Sequence, residues 1–293
     1  MPIKVKQKHL KSFDGTKIGY QVIGNGKIPF VLCNGLGGTS HTWSPLYENL
    51  SKKFTFITWD YRGIFTSEAP QDLSHLTIEH HCKDLEMVLK KEKITKAIFG
   101  GWSMGVQVCL EYYRKHAKNF KGLFLINGTY GYVLKTALNS PLTKYILPSI
   151  NQLIIKMMPT LQPKLQPLAK NVINSKDFLS IISKLGLVHK NFDSEIFTQL
   201  AHEMMDTNLT AYHSIMDCII GHDASDVLPQ IKVPTLIISS TKDIITPSHT
   251  AEYMAEQIPK AELFIVNEGS HYSLLEFPEI ITKRVQQFLN ETV

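Results

Sequence analysis

The sequence predicts an α/β fold with a mostly parallel, doubly wound sheet and an inserted all-helical cap. Short apolar runs alternate with helix-like stretches in the first and last parts of the chain, which is typical of parallel sheets covered by helices on both faces. Residues 132–221 break this alternation, because they hold helix-like apolar segments and no convincing strand. At 293 residues, the chain is long enough for one large α/β domain with such an insertion.

The first part, residues 1–131, begins with a hairpin pattern and continues with four apolar runs. Alternating apolar positions on either side of Asp14-Gly15 predict two strands joined by a tight turn. Helical spacing predicts helices in LTIEHHCKDLEMVLKKEK, between the second and third runs, and in GVQVCLEYYRKHA, after the third. Each run ends in a small or polar loop: PFVLCNGLGG (29–38), FTFITWDYRG (54–63), AIFGGWSMG (97–105) and GLFLINGTYG (122–131).

The strand pattern resumes after the insertion, in residues 222–293. Two apolar runs, VPTLIISSTKD (233–243) and AELFIVNEGSHY (261–272), alternate with the helix candidates SHTAEYMAEQI and IITKRVQQFLN. We therefore expect one core formed by residues 1–131 and 222–293. The cap of residues 132–221 would lie over one end of the sheet, where it could act as a lid.

Composition and charge argue against several classes of protein. The formal charge of +5 is scattered, so we expect no nucleic-acid partner. The four cysteines form no CxxC pair, which indicates neither a disulfide framework nor a metal site. The beginning of the sequence lacks the apolar run of a signal peptide, and the most apolar later stretch, YILPSINQLIIKMMP, is interrupted by polar residues and proline. We expect a cytoplasmic protein with no stable membrane insertion.

Three residues with catalytic chemistry follow apolar runs, at the end of a parallel sheet where ligands bind. Ser103 follows AIFGGW, Asp243 follows TLIISSTK, and His271 follows LFIVNEGS. Ser103 lies between two glycines in G-x-S-x-G, which is typical of a tight turn from a strand into a helix. A serine hydroxyl is a poor nucleophile unless a base takes its proton, so we interpret His271 as that base and Asp243 as the group that orients it.

Other histidines and acids compete for these roles. His41 follows the NGLGG loop at the same end of the sheet, and His222 is a weaker candidate base. Glu268 is a possible acid, but it lies three positions before His271 in the same loop and is poorly placed to reach its ring. Asp243 is favoured because one helix and one strand separate it from His271, which brings neighbouring strand ends together.

Taken together, the motifs of this chain resemble the α/β-hydrolase fold superfamily, in its serine-nucleophile, esterase- or lipase-like branch with a helical cap. SFDGTKIGY, CNGLGG, DYRG, GWSMG, TKDIITP and GSHYSLLEFP occur in the order and roughly the spacing of that family, over the whole chain except the insertion. The resemblance implies a nucleophile elbow at Ser103 and a catalytic triad with Asp243 and His271. It also implies that the backbone N–H groups of Leu36 and Met104 form the oxyanion hole, and that no metal or organic cofactor is needed.

Two residues depart from the family pattern. Asn34 stands where the family usually has a histidine before the oxyanion glycine, and Phe65 stands where DYRGIFTS should have a glycine. We expect Phe65 to re-route the backbone or to line the substrate pocket, and Trp102 to pack in the fold or to border the pocket. We interpret Asp60 and Arg62 as structural residues.

These observations predict a serine hydrolase that cleaves a carboxylic ester, or a related acyl compound, through an acyl-enzyme on Ser103. The apolar insertion favours a small-molecule partner, a hydrophobic acyl substrate of small or medium size. The same triad also serves C–C bond hydrolysis, cofactor-free perhydrolysis or haloperoxidation, and acyl transfer in the family. A small-ligand receptor on a hydrolase scaffold is the alternative from another class.

Overall fold

Eight strands form a single β-sheet. The structure is a computed structural model, and it describes residues 3–292 apart from 137–140, 176, 186, 187, 190, 191, 193 and 206. The strands are β1 (Val5–Lys11), β2 (Lys17–Gly24), β3 (Ile28–Cys33), β4 (Phe54–Trp59), β5 (Ala97–Trp102), β6 (Phe120–Ile126), β7 (Thr235–Ser240) and β8 (Ala261–Val266).

The order of the strands across the sheet is β1-β2-β4-β3-β5-β6-β7-β8. The β1–β2 hairpin and the β2–β4 pair are antiparallel, and all other neighbouring strands are parallel. Strand β5 is buried along its whole length, and β3 and β6 along most of theirs, which accounts for their almost unbroken apolar sequences. The predicted fold class, a mostly parallel doubly wound sheet with flanking helices, is confirmed.

Helices cover both faces of this sheet. The α-helices in the described part of the chain are α1 (Ser44–Leu50), α2 (Ile78–Lys91), α3 (Met104–His116), α4 (Val133–Thr136), α5 (Pro141–Ile173), α6 (Phe178–Lys184), α7 (Ser194–Met205), α8 (Leu209–Gly221), α9 (Ser248–Gln257), α10 (Ser273–Glu276) and α11 (Pro278–Thr292). Buried residues of α2, α3, α8 and α9 form one apolar cluster with the sheet, and those of α1, α10 and α11 form a second. The two faces of the sheet therefore have separate cores.

The excursion between β6 and β7 leaves and re-enters the sheet domain at one place. Its described residues form helices α4 to α8 and loops, and an antiparallel bridge joins Gly131 to Asp223 at its base. Next to that bridge, the Tyr132 N–H donates to the His222 carbonyl oxygen (2.9 Å) and the Ala224 N–H donates to the Tyr130 carbonyl oxygen (3.0 Å). Among the helices that the structure describes, including the 33-residue α5, none is long and apolar enough to cross a membrane.

A fully buried arginine joins the β1–β2 turn to α2. Arg62 donates to both carboxylate oxygens of Asp84 (2.8 and 2.5 Å) and to Asp14 Oδ2 (2.8 Å). Removing one partner of such a buried pair typically costs about 3–5 kcal/mol, because the other charge is left without compensation. This agrees with the structural role expected for Arg62.

Asp60 is a separate structural group, since it accepts hydrogen bonds from the backbone N–H and the hydroxyl of Thr66.

His81 on α2 is a fully buried titratable residue in the same core. Its ring centroid lies 4.7 Å from that of Tyr61, and neither ring nitrogen has a hydrogen-bond partner among the described residues. Burial, together with the nearby positive charge of Arg62, lowers the pKa of His81 well below its usual value of 6.5. The folded protein therefore keeps this imidazole neutral, whereas the unfolded chain protonates it below that value.

We expect His81 to reduce the stability of the protein as the pH falls below about 6.5, because protons then bind preferentially to the unfolded chain. The His81→Phe variant should escape this loss. Between about pH 7 and about pH 5, its free energy of unfolding should rise by about 2 kcal/mol relative to that of the wild type. Urea denaturation at the two pH values measures the difference. His9→Phe, on the exposed face of β1, is the matched control and should follow the wild type. Equal acid sensitivity of His81→Phe and the wild type would contradict the expectation.

Candidate active site

Ser103 occupies a sharp turn between β5 and α3. Its backbone has φ 55° and ψ −120°, a conformation that costs a residue with a side chain about 1–3 kcal/mol. Two close backbone approaches hold the turn. A Cβ on Gly101 would lie 2.4 Å from the Gly105 carbonyl oxygen, and a Cβ on Gly105 would lie 2.0 Å from the Cys33 carbonyl oxygen. Only glycine fits at either position, so the G-x-S-x-G motif has a steric cause here.

The structure brings the three predicted catalytic side chains together in a chain of hydrogen bonds. His271 Nε2 lies 2.9 Å from Ser103 Oγ, and His271 Nδ1 lies 2.9 Å from Asp243 Oδ2. Asp243 and His271 are buried, with 4% and 6% exposure, while Ser103 is half-buried. The arrangement allows a proton to pass from the serine hydroxyl to the imidazole, with the carboxylate fixing the ring.

The competing residues have other partners. His41 pairs with Glu203 on α7 at 3.3 Å, and His222 Nε2 lies 3.3 Å from Glu111. Glu268 is exposed, and its carboxylate lies 3.8 Å from Lys242 Nζ. The structure therefore places none of the three beside Ser103, and their alternative roles are not supported by its geometry.

Asp243 is held as a buried carboxylate by donors from three directions. Its Oδ1 accepts from the backbone N–H groups of Ile245 (2.9 Å) and Thr246 (2.8 Å). Its Oδ2 accepts from the Thr246 hydroxyl (2.8 Å) and from Asn127 Nδ2 (2.8 Å), besides His271. Burial alone would raise the pKa of Asp243, but the charge of His271 and these hydrogen bonds lower it to about 2. The group is ionised at neutral pH and can stabilise a positive imidazole.

Asn127 is a site residue that the sequence analysis did not predict. It follows β6 with φ 42°, and its amide nitrogen donates to the Asp243 carboxylate and to the Ser270 carbonyl oxygen (3.3 Å). Its oxygen accepts from the Ser273 hydroxyl (2.6 Å). Its position at a strand end was the available signal. An asparagine cannot replace the acid, but Asn127 supports it.

Trp102 links the turn at Ser103 to the loop that carries His271. Its indole N–H donates to the His271 carbonyl oxygen (3.0 Å), and its ring packs against the turn at Gly35 and Gly38, leaving no room for a side chain at either glycine. Trp102 also lines the cavity beside Ser103. Both of the roles expected for it, packing in the fold and bordering the cavity, are therefore observed.

The expected oxyanion residues, Leu36 and Met104, line the same cavity as Ser103. In the part of the chain that the structure describes, neither backbone N–H donates to a protein acceptor, so both can serve a bound oxygen. Asn34 fixes the loop that carries Leu36: its side chain donates to the Trp59 carbonyl oxygen (3.0 Å) and accepts from the Trp43 indole (2.8 Å). The asparagine therefore acts as an internal brace of the loop.

The cavity at Ser103 is small and mainly apolar. Its volume is about 150 Å³, and helix α8 forms one wall with Tyr212, Met216 and Ile219. Gln107, one turn into α3, is a buried polar group of the wall. Its Nε2 donates weakly to the Ile219 carbonyl oxygen (3.4 Å), and its Oε1 has no partner among the described residues. Among the described residues, the Gln107 amide is therefore only weakly hydrogen-bonded.

Phe65 does not line this cavity, in contrast to the expectation. It lies in a separate cleft beside His41, Asp60 and Glu203. The backbone at Phe65 has φ 48°, in the left-handed region that favours glycine. The phenylalanine therefore adopts a backbone conformation that suits the glycine expected at this position. Next to Phe65, the backbone N–H and the hydroxyl of Thr66 donate to Asp60 and hold this turn.

Comparisons with known proteins agree with the fold described above. A family model described as the alpha/beta hydrolase fold matches residues 28–160 and 207–278. A proline iminopeptidase of Flavobacterium johnsoniae is 25% identical over 91% of this chain and 91% of its own. A putative carbamate hydrolase of Azorhizobium caulinodans is 22% identical over 93% and 94% of the two chains. The solved structure of an esterase from Exiguobacterium antarcticum superposes with a TM-score of 0.76 at 23% identity, covering 97% of this chain and 100% of that one. The structural likeness shows the fold.

We expect Gly105→Ala to lower the free energy of unfolding by about 3 kcal/mol, because the new methyl group must displace the Cys33 carbonyl group. Urea denaturation measures the loss. Gly221→Ala is the matched control, since a Cβ there would meet nothing within 4 Å, and it should leave stability nearly unchanged. Similar stability of the two variants would refute the steric account of the turn.

We expect Asn127→Ala to raise the pKa of Asp243 and to slow the reaction of Ser103 with a fluorophosphonate by about tenfold or more, since a hydrogen bond to a charged group contributes about 1.5–3 kcal/mol. The pH dependence of the labelling rate measures both effects. Asn49→Ala is the control, because Asn49 is exposed and its amide donates only to the Pro45 carbonyl oxygen in α1. A labelling profile identical to that of the wild type would exclude a supporting role for Asn127.

Proposed function

Because the chain belongs to the alpha/beta hydrolase fold family, we propose that it is a serine hydrolase that cleaves a carboxylic ester, or a related acyl compound, through an acyl-enzyme on Ser103. The observation that carries the proposal is the unbroken relay from Ser103 Oγ through His271 to Asp243, with 2.9 Å at each step. A nucleophile, a base and an orienting carboxylate in this geometry are the groups that acyl transfer requires.

In the proposed reaction, the Ser103 oxygen attacks the acyl carbon while His271 Nε2 accepts the hydroxyl proton. The backbone N–H groups of Leu36 and Met104 hold the oxygen that becomes negative, and Asp243 stabilises the imidazolium. The imidazolium then gives its proton to the leaving alkoxide. Water, activated by His271, finally hydrolyses the acyl-enzyme and restores the free serine.

The cavity supports a small and largely neutral substrate. Ligand sites for drug-sized molecules usually measure about 300–1,000 Å³, whereas this cavity has about 150 Å³. Its described lining residues include no aspartate, glutamate, lysine or arginine, and most of them are apolar.

We further propose that residues 132–221 form a cap on a core of residues 1–131 and 222–293, and that the enzyme works in the cytoplasm. Helix α8, which supplies one wall of the cavity, belongs to this cap, so the cap would set the size of the substrate. The four cysteines are far apart in the sequence and form no CxxC pair. This fits a reducing compartment.

We expect a fluorophosphonate probe to label the wild type and to leave Ser103→Ala unlabelled, because the probe reacts only with an activated serine. On p-nitrophenyl esters, kcat/KM should be highest for acetate and butyrate and fall for laurate, which the cavity cannot hold.

Asp243→Asn should lower kcat by up to about 10⁴ without loss of fold, and Glu268→Gln is the matched control that should keep full activity. If the wild type binds ligands but is not labelled by the probe, the protein is a receptor and the proposal is wrong. If it leaves esters intact but converts C–C or peracid substrates, the triad catalyses one of those reactions instead.

A further inference from the structure

Helix α5 turns a row of large apolar side chains towards the solvent. Seven residues of this helix have exposures between 36% and 63%: Leu147, Ile150, Leu153, Met157, Leu165, Leu168 and Val172. After α5, Ile181 and Leu185 are also exposed, at 51% and 64%. At 1.5 Å per residue, the 33-residue helix is about 50 Å long, so the exposed apolar row is far larger than an isolated surface leucine.

The row lies on one side of the helix, because the spacings of its members follow the helical period. The side of α5 that packs against the rest of the cap includes polar residues beside apolar ones such as the buried Ile173. Asn151 donates to the His213 carbonyl oxygen (3.0 Å), Gln162 to that of Thr207 (2.7 Å) and Gln166 to that of Met205 (2.7 Å). Surface helices ordinarily bury their apolar face, so this helix is oriented with much of its apolar surface outwards.

The charges of α5 are all positive. The sequence of residues 141–173 contains four lysines and no aspartate or glutamate. Lys156 and Lys164 are exposed, and Lys164 lies beside Leu165 on the solvent side of the helix. Lys184, next to Leu185, is also exposed. An apolar face edged by lysines matches the interface of an anionic lipid bilayer, in which acyl chains lie beneath negative headgroups.

We propose that α5 binds the surface of an anionic lipid bilayer, lying in the plane of the headgroups with its apolar row facing the acyl chains. The helix does not cross the bilayer, since four prolines and its lysines interrupt its sequence. A second copy of this chain is the less suitable occupant, because two α5 helices face to face would bring their lysines together without any acidic partner on either helix. Binding by α5 places the cavity close to the membrane, because α5 packs on α8, and α8 lines the cavity.

The test is co-sedimentation of the full chain with vesicles, compared between pure phosphatidylcholine and equal parts of phosphatidylcholine and phosphatidylglycerol. We expect binding to the anionic vesicles, weaker binding at high salt, and little binding to the neutral ones. The double variant Leu153→Gln/Leu168→Gln should bind the anionic vesicles at least about tenfold more weakly, and Lys156→Gln/Lys164→Gln should lose most of the salt-sensitive part. Val5→Gln/Ile280→Gln removes equally exposed apolar residues elsewhere and should bind like the wild type.

Two measurements show whether each variant is folded: hydrolysis of p-nitrophenyl acetate without vesicles, and urea denaturation. If the proposed reaction does not occur, urea denaturation alone still shows this, and the vesicle-binding result can be interpreted. Failure of the wild type to bind anionic vesicles, equal binding to neutral ones, or full binding by the leucine variant would each overturn the proposal. Sedimentation velocity tests the alternative that α5 binds a second copy of the chain. A dimeric wild type together with a monomeric leucine variant would assign α5 to a contact between two copies and overturn the proposal.

Discussion

The backbone conformation at Ser103 is the constraint on which the rest of the site depends. A strained turn of this kind is kept only where the surrounding structure leaves no alternative. Here the Gly105 backbone lies against the carbonyl group of Cys33, at the end of β3, and the loop that carries Leu36 begins directly after that strand. The close packing that sets the backbone angles of Ser103 therefore also brings the Leu36 loop beside the start of α3, so one contact positions both the proposed nucleophile and the proposed oxyanion-binding groups.

The sheet order explains why the remaining groups meet the serine. Strands β5, β6, β7 and β8 are consecutive neighbours, and the residues that follow them are Ser103, Asn127, Asp243 and His271. Four side chains from distant parts of the sequence are thus set along one edge of the sheet. The Asp243 carboxylate is the central group at this edge of the sheet. It is buried, and a buried charge is tolerable only when its oxygens are fully hydrogen-bonded. The donors that satisfy Asp243 also fix its position relative to His271.

The sequence allowed the strands and the hydrogen-bonded trio to be predicted because both follow from short-range patterns. An apolar run marks a buried strand, and parallel strands end at the same edge, so Ser103, Asp243 and His271 could be placed together without coordinates. The place of Asn127 after β6 was a signal, but its bond to Asp243 could not be predicted, because it depends on which way the side chain turns. At Phe65, the sequence shows that a glycine is missing but not that the phenylalanine itself has a positive φ. The outward apolar face of α5 was also hidden, since an amphipathic pattern does not say which side of a helix meets the solvent.

The bridge between Gly131 and Asp223 has a consequence for the evolution of this protein. The chain departs from the sheet and comes back at adjacent points, so the positions of β6 and β7 do not depend on what lies between them. Doubling the length of a flexible loop costs only about 0.6 kcal/mol once its ends are joined. Descendants of this chain could therefore acquire shorter, longer or unrelated segments at this point while keeping the reacting groups in place. Substrate range and cellular attachment would then diversify independently of the chemistry.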